Sequence, residues 1–282
     1  MQKIFGMAAA IACLSVAPAF AQDGVSLHGF ADLSVKNDYI TPRGLHVTSK
    51  GTTIQFLNGL VLDVPLDPAS IVPDVSFVAG TWTDFNPGYG DVNTRSFNEF
   101  DWFVGANAKI GKKVTVGAQY VEFISGQSAF ETEKNIEFSF SYADGLKPIT
   151  INPYAKLFWA IDGDSTVVVG KRGGTFDVEL GATPTWDLHP YDIPLTLSAP
   201  TWVTVGPEDF WGGGGHAGVF STGLKATYAI PAPPAAGHWS VYVGYQYYHL
   251  INDQLVLAQS ILNSGKDSRD VHLVQAGVGL GF

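Results

Sequence analysis

The C-terminal twelve residues, Val271 to Phe282, read VHLVQAGVGLGF. Counting back from Phe282, Leu280, Val278, Ala276 and Val274 take every second position, and Gly281, Gly279, Gly277 and Gln275 take the others. Side chains on a strand alternate between faces, so the stretch has one apolar face and one small or polar face. Two readings fit it: the last strand of a soluble sheet, or a membrane strand that turns its apolar face to lipid. The rest of the chain decides between them.

At the other end, MQKIFGMAAAIACLSVAPAFAQ carries Lys3, an apolar run from Ile4 to Val16, Pro18 and the small-x-small site Ala19-Phe20-Ala21. This predicts a signal peptide over residues 1–21 and a mature chain from Gln22. The apolar run is shorter than the roughly 20 residues a membrane helix needs. Cys13 is the only cysteine, so the mature chain is expected to have no disulfide, thiolate metal site or cysteine nucleophile. The whole chain holds 16 Lys and Arg against 26 Asp and Glu, and this acidic balance argues against nucleic acid as a partner. Hydrophobic residues make up 46% of the chain and charged ones 15%, yet no run after Val16 reaches membrane-helix length. Apolar groups spread in this way must be spread by alternation, as in transmembrane strands.

Twelve segments show the period of two. Val25 to Tyr39 points Val25, Leu27, Ala31, Leu33 and Val35 one way and Ser26, His28, Asp32, Ser34, Lys36 and Asp38 the other. Thr52 to Val64 and Val75 to Asp84 are less regular. Glu99 to Ile110, with Phe100, Trp102 and Val104 outward, turns at Gly111-Lys112 into Val114 to Tyr120 and forms the clearest hairpin. Ile136 to Tyr142, Ile151 to Trp159, Gly174 to Thr183, Leu195 to Val205, Gly218 to Ile230 and Trp239 to Tyr248 follow, and the C-terminal stretch closes the series. Each repeat is weak alone, and the agreement of twelve carries the argument.

The connections supply a separate check. Links after even segments (Gly111-Lys112, Asp144 to Pro148, Pro231 to Gly237) are short, though Pro65 to Asp74 and Pro184 to Pro194 are longer. Links after odd segments, such as Thr41 to Gly51, Phe85 to Asn98 and Ile251 to Asp270, are longer on average and richer in Gly, Asp and Asn. The expected fold is therefore all-β: one closed antiparallel transmembrane barrel of about 12 strands, with 10 or 14 as alternatives, short periplasmic turns and longer extracellular loops. Closure is required because lipid offers an unpaired edge amide no partner. Trp82, Trp102, Trp159, Trp202 and Trp239 lie near strand ends and are expected to form girdles at the headgroup boundary.

Several stretches resemble the TorF-type porins, exported bacterial β-barrels: SVKNDYITPRG (Ser34 to Gly44), GTWTDF (Gly80 to Phe85), Glu99 to Tyr120, PYAKLFWAIDGD (Pro153 to Asp164), Leu195 to Gly206 followed by Phe210-Trp211-Gly212, and Trp239 to Leu250. The Tyr39-to-Arg43 spacing is longer than the family's pattern. The resemblance spans most of the mature chain and implies a barrel that passes small solutes. It carries no catalytic residues across. The ending VHLVQAGVGLGF likewise resembles the closing strand of outer-membrane barrels, which the insertion machinery recognises. This makes Phe282, with Leu280 and Val278, the expected assembly signal and outer-membrane lipid the expected surroundings.

Chemistry-bearing clusters are few. Asp162 and Asp164 in DGDS are a weak calcium candidate that lacks the spacing and terminal Glu of a calcium loop, so an Asx turn is favoured. The histidines show no metal spacing, and no cofactor is expected. A lipid-cleaving barrel needs a Ser-His pair facing lipid; His272 has the right parity, but no outward serine neighbours it, so no enzyme is expected. The inward parity gathers Asp32, Asp38, Glu99, Asp101, Glu137, Asp177 and Glu179 against Lys36, Lys109, Lys156 and Lys225. A mixed, mainly acidic lumen fits a narrow porin-like channel for small polar or cationic solutes. It equally fits a plugged structural barrel whose outer loops meet a partner, since twelve strands lie between filled and open barrels. The apolar LVLAQSIL within Ile251 to Asp270 is expected to fold as a short helix into the mouth.

Overall fold

The computed structural model describes residues 20–22, 24–49, 51–87, 97–126, 130–163, 170–263 and 265–282. Twelve antiparallel strands close into a barrel: β1 (Val25–Lys36), β2 (Thr53–Pro65), β3 (Asp74–Phe85), β4 (Phe97–Ile110), β5 (Val114–Ser125), β6 (Glu133–Tyr142), β7 (Ile149–Thr150 and Pro153–Asp162), β8 (Thr175–Ala182 and Thr185–Asp187), β9 (Leu195–Ser198 and Thr201–Val205), β10 (Ala217–Ile230), β11 (His238–Leu250) and β12 (Asp270–Gly281). Each strand pairs with the next, and β12 pairs back onto β1 from Gln275↔Lys36 to Gly281↔Phe30. Phe282 extends this seam: its N–H donates to Gly29 O at 3.0 Å and its carbonyl accepts from Gly29 N at 2.7 Å. The expected barrel, strand number and parity of links are all present. Residues 1–19 of the expected signal peptide lie outside the described residues. Phe20–Gln22 pairs antiparallel with Val25 to Leu27.

The outer face inverts the pattern of a water-soluble protein. Leu60, Phe77, Val243, Val274 and Leu224 lie on outward positions and are half exposed or more. Leaving that much apolar surface in water costs about 25 cal/mol per Å², and a continuous band of it around the barrel suits hydrocarbon. Trp102, Trp159 and Trp239 belong to this face. Trp82 and Trp202 do not, which corrects the expected girdles. Both fall on the inward parity: Trp82 packs against Tyr39 with ring centroids 5.5 Å apart, and Trp202 is 3% exposed. A period of two places a ring on one face, and its nearness to a strand end does not override that.

Two links differ from the sequence reading. Pro184 to Pro194 is not one unbroken connection, because β8 resumes at Thr185–Asp187 and pairs with Leu195–Ser198. β7 likewise has an earlier segment, Ile149–Thr150, which pairs with Trp186 and Thr185. The breaks at 151–152, 183–184 and 199–200 lie side by side and are stitched by Thr183 N→Ile151 O (3.0 Å) and Ala199 N→Pro184 O (2.8 Å). Proline has no N–H to give a ladder, so Pro184 and Pro200 end one register and the strand restarts beyond each. The turn before β7 is held by Asp144, whose carboxylate accepts from Leu146 N, Ile151 N and Asn152 N. These backbone donors keep its pKa below the usual carboxylate value.

Inside the barrel, rings lie over glycines of the neighbouring strand. Phe30 is registered with Gly59, Phe103 with Gly80, Tyr154 with Gly181 and Tyr242 with Gly277. A β-carbon built on any of these glycines comes within 2.4 to 2.7 Å of the facing ring. Phe30, Leu57, Val61, Phe103 and Val121 form an inward apolar cluster with Val78, Trp82 and Phe123.

Candidate functional site: a loop seated in the lumen

The first loop, between β1 and β2, enters the barrel. Tyr39–Ile40 pairs with His46–Thr48 as a small hairpin, and Tyr39, Ile40, Arg43, Leu45, His46 and Thr48 are all buried. Gly44, at φ +93, allows the close approach of Leu255 and Val219: an added β-carbon would stand 3.0 Å from each.

The sixth loop covers the first. Its helix α2 (Asp253–Leu262) starts where Asn252 accepts from Gln254 N at 2.9 Å, an N-cap. Asn252 Nδ2 also reaches the carbonyls of Gly213 and Gly215, so the glycine run of the fifth loop wraps this cap. Gln259 Oε1 lies 2.9 Å from His46 Nδ1, Asn263 Nδ2 donates to His46 O at 2.7 Å, and Ser49 N donates to Asn263 Oδ1 at 2.8 Å. Leu255 joins Ile40, Trp202, Phe210, Trp211, Val219, Tyr248, Leu250, Val271 and Leu273 in an apolar cap. Helix α1 (Glu208–Trp211) supplies Phe210 and Trp211 to it. The α1 residue Asp209 accepts from Thr175 Oγ1 and meets Lys171 Nζ at 3.2 Å, and both hold its carboxyl below the usual range. The helix expected from LVLAQSIL is thus present, and it closes over the first loop.

At the tip of that loop, Arg43 crosses to the far wall. Its Nη1 donates to Glu133 Oε1 at 3.4 Å, Nη2 lies 3.7 Å from Glu137 Oε1, and Nε lies 3.3 Å from Asp177 Oδ1. The guanidinium stands 4.1 Å from the Phe158 ring centroid and 5.3 Å from that of Phe123. The loop backbone is fixed to the wall where Trp202 Nε1 donates to Pro42 O at 3.0 Å.

Most of the sequence-predicted lumen residues gather around this feature. Asp177 and Glu179 on β8 are fully buried, and Glu179 meets Lys156 Nζ of β7 at 3.2 Å. Glu137 also accepts from Gln119 Nε2 at 2.6 Å. Glu99 accepts from the Tyr39 hydroxyl at 2.7 Å, with Asp101 buried beside it on β4. Across the barrel, Lys225 Nζ lies 3.7 Å over the Tyr242 ring, and the Tyr242 hydroxyl donates to Asp32 at 2.8 Å. Lys36 is half-buried on β1. Two of the predicted residues sit apart: Lys109 is opposite Asp74 near the turn end, and Asp38 lies beyond β1, 3.5 Å from His46 Nε2. Asp162, at the end of β7, accepts from Gly163 N at 3.0 Å and meets Lys134 at 3.8 Å, while Asp164 lies outside the described residues. Outside the lumen, Phe282 is exposed with its ring over Gly29, Leu280 and Val278 are half-buried, and His272 points outward with Tyr245 OH 2.7 Å from its Nδ1.

Arg43 and Glu133 are not among the lumen residues that the alternation marks. Arg43 sits in a stretch without periodicity, and Glu133 falls in what reads as a loop before Lys134. The available signal was that Glu133 and Asn135 continue inward the alternation of Glu137 and Ser139.

No family model matches the chain, and no curated protein matches it by sequence. Among solved structures it is similar to the NanC porin, with 12% identity and a TM-score of 0.49 over 89% of this chain and 98% of that one. It is also similar to an outer-membrane channel from Pseudomonas putida F1, with 9% identity and a TM-score of 0.48 over 91% and 95%. A third is the transport unit of the autotransporter AIDA-I from Escherichia coli, with 12% identity and a TM-score of 0.42 over 91% and 89%. The class that the fold defines is the closed twelve-stranded antiparallel β-barrel with an apolar outer belt.

Proposed function

We propose that this protein is an outer-membrane barrel of the TorF porin type, acting as a narrow channel for small polar or cationic solutes. The observation that carries the reading is the charged interior. Buried carboxylates Glu99, Asp101, Glu133, Asp177 and Glu179 and the partly buried Glu137 share the barrel interior with Lys36 and Lys225. Burying charge away from water is costly, so a wall this rich in carboxylates suits a path that water enters once the first loop moves aside. The carboxylate excess draws cations and repels anions. The apolar belt and the signal-like N-terminus agree with an outer-membrane address, and β12 ending in Phe282 is the segment offered to the insertion machinery.

A second reading, a plugged barrel that works through its outer loops, is favoured by the depth at which the first loop is seated. Planar bilayers separate the two. The channel reading expects single-channel steps from the pure protein, with a reversal potential that favours cations in a salt gradient. A folded barrel that gives no steps, or steps without cation preference, sinks it.

A further inference from the structure

The place occupied by Arg43 has the character of a ligand site. Three carboxylates on two strands, Glu133 and Glu137 of β6 and Asp177 of β8, surround the guanidinium between two phenyl rings, Phe123 of β5 and Phe158 of β7. Rings above a planar cation and carboxylates around its edge are the two elements of guanidinium recognition, and a compact, strongly hydrated cation exploits them less well. The fit is loose. Contacts of 3.3 to 3.7 Å are well outside the 2.7 to 2.9 Å of a bidentate Arg–carboxylate pair. Asp177 is 0% exposed, and among the described residues neither of its carboxylate oxygens has a hydrogen-bond partner. The Arg43 Nε approach is therefore a charge contact, and acceptor capacity remains unused. A permanent structural bridge would use that capacity, because an unpaired buried acceptor is destabilising.

We propose that Glu133, Glu137 and Asp177, with Phe123 and Phe158, form a binding site for solutes bearing a guanidinium group, and that Arg43 holds this site as a tethered occupant. The proposal rests on the channel reading for its physiological use, but binding itself can be measured without conduction. A solute entering from the loop side competes with a side chain carried by the first loop. Departure of Arg43 leaves three carboxylates facing the lumen, an environment that selects cations. Access and selectivity are then set by one residue.

The test uses full-length barrel refolded in detergent, with methylguanidinium chloride as probe and methylammonium chloride as the matched cation. Arg43→Ala is compared with wild type and with the double variant Arg43→Ala/Asp177→Asn. Millimolar methylguanidinium should raise the thermal midpoint of Arg43→Ala and leave wild type unchanged, and methylammonium should do neither. The double variant should need about tenfold more probe for the same shift. In bilayers, the same probe should block Arg43→Ala current at similar concentrations. A midpoint shift in Arg43→Ala without current in any variant would retain the site and end the channel reading. Current without a shift or a block specific to methylguanidinium would overturn the site and leave the channel. Should Arg43→Ala refold poorly, Arg43→Gln is used, and refolding yield becomes the readout. Recovery of folded Arg43→Gln with methylguanidinium but not methylammonium supports the site, and failure with both overturns it.

Discussion

At the scale of single residues, the wall of this barrel is made thin by pairing aromatic rings with glycines. Phe103 lies across Gly80 in register, and a β-carbon at Gly80 would stand 2.4 Å from Phe103 Cζ and 2.3 Å from the backbone oxygen of Asn58. The ring can turn but the backbone oxygen cannot, so Gly80→Ala must deform the β2–β3 ladder. Overpacking of this kind costs about 1–3 kcal/mol. The expected outcome is a lower urea midpoint for Gly80→Ala, read as earlier loss of the folded, faster-migrating band on unheated gels; an unchanged midpoint would contradict the packing. These pairs were not legible in the sequence. A glycine count of 32 suggests crowding, but which glycine lies under which ring depends on register, and register is a property of two strands. Phe30 and Phe103 even disturb the alternation, because they put apolar rings on the face that the pattern reserves for polar groups.

At the scale of elements, the strands were legible where alternation ran unbroken and illegible where proline interrupted it. β4 and β5 follow the expected hairpin from Glu99 to Tyr120 closely. β7, β8 and β9 do not, because the stitched breaks restart the pattern after two residues and leave Thr185–Asp187 too short to show a period. The lumen charges on β4, β6, β7 and β8 were visible as parity, whereas the group that organises several of them, Arg43, was not. Its loop has no repeat, and only tertiary contact sends it inward. β12 is the element whose role is most local to its end. Phe282 exchanges two hydrogen bonds with Gly29 and lays its ring over that glycine, yet it is half exposed. Removing it takes one rung from a seam that keeps its register from Gln275 to Gly281. Deletion of Phe282 is expected to slow assembly into lipid vesicles while the thermal midpoint of barrels already folded changes little. Equal assembly rates would argue against a recognition role.

At the scale of the whole molecule, the charge distribution is lopsided. Carboxylates dominate β4 to β8, Lys36 and Lys225 stand on β1 and β10, and the first loop carries one further cation across to the acidic side. The loop is held there by α2. The contact between His46 and Gln259 joins positions 213 residues apart, and the elements involved are the first and last hairpins of the barrel, whose strands pair at the β12–β1 seam. Because the two hairpins become neighbours through that seam, the clasp on the first loop is expected to form after the ring closes. Protease added during assembly should cut within 37–52 until the seam forms and spare that segment afterwards, whereas protection before closure would refute the sequence of events. A barrel halted one hairpin short would lack α2 and with it the clasp on the first loop, so protection of that loop reports that the wall behind it is complete.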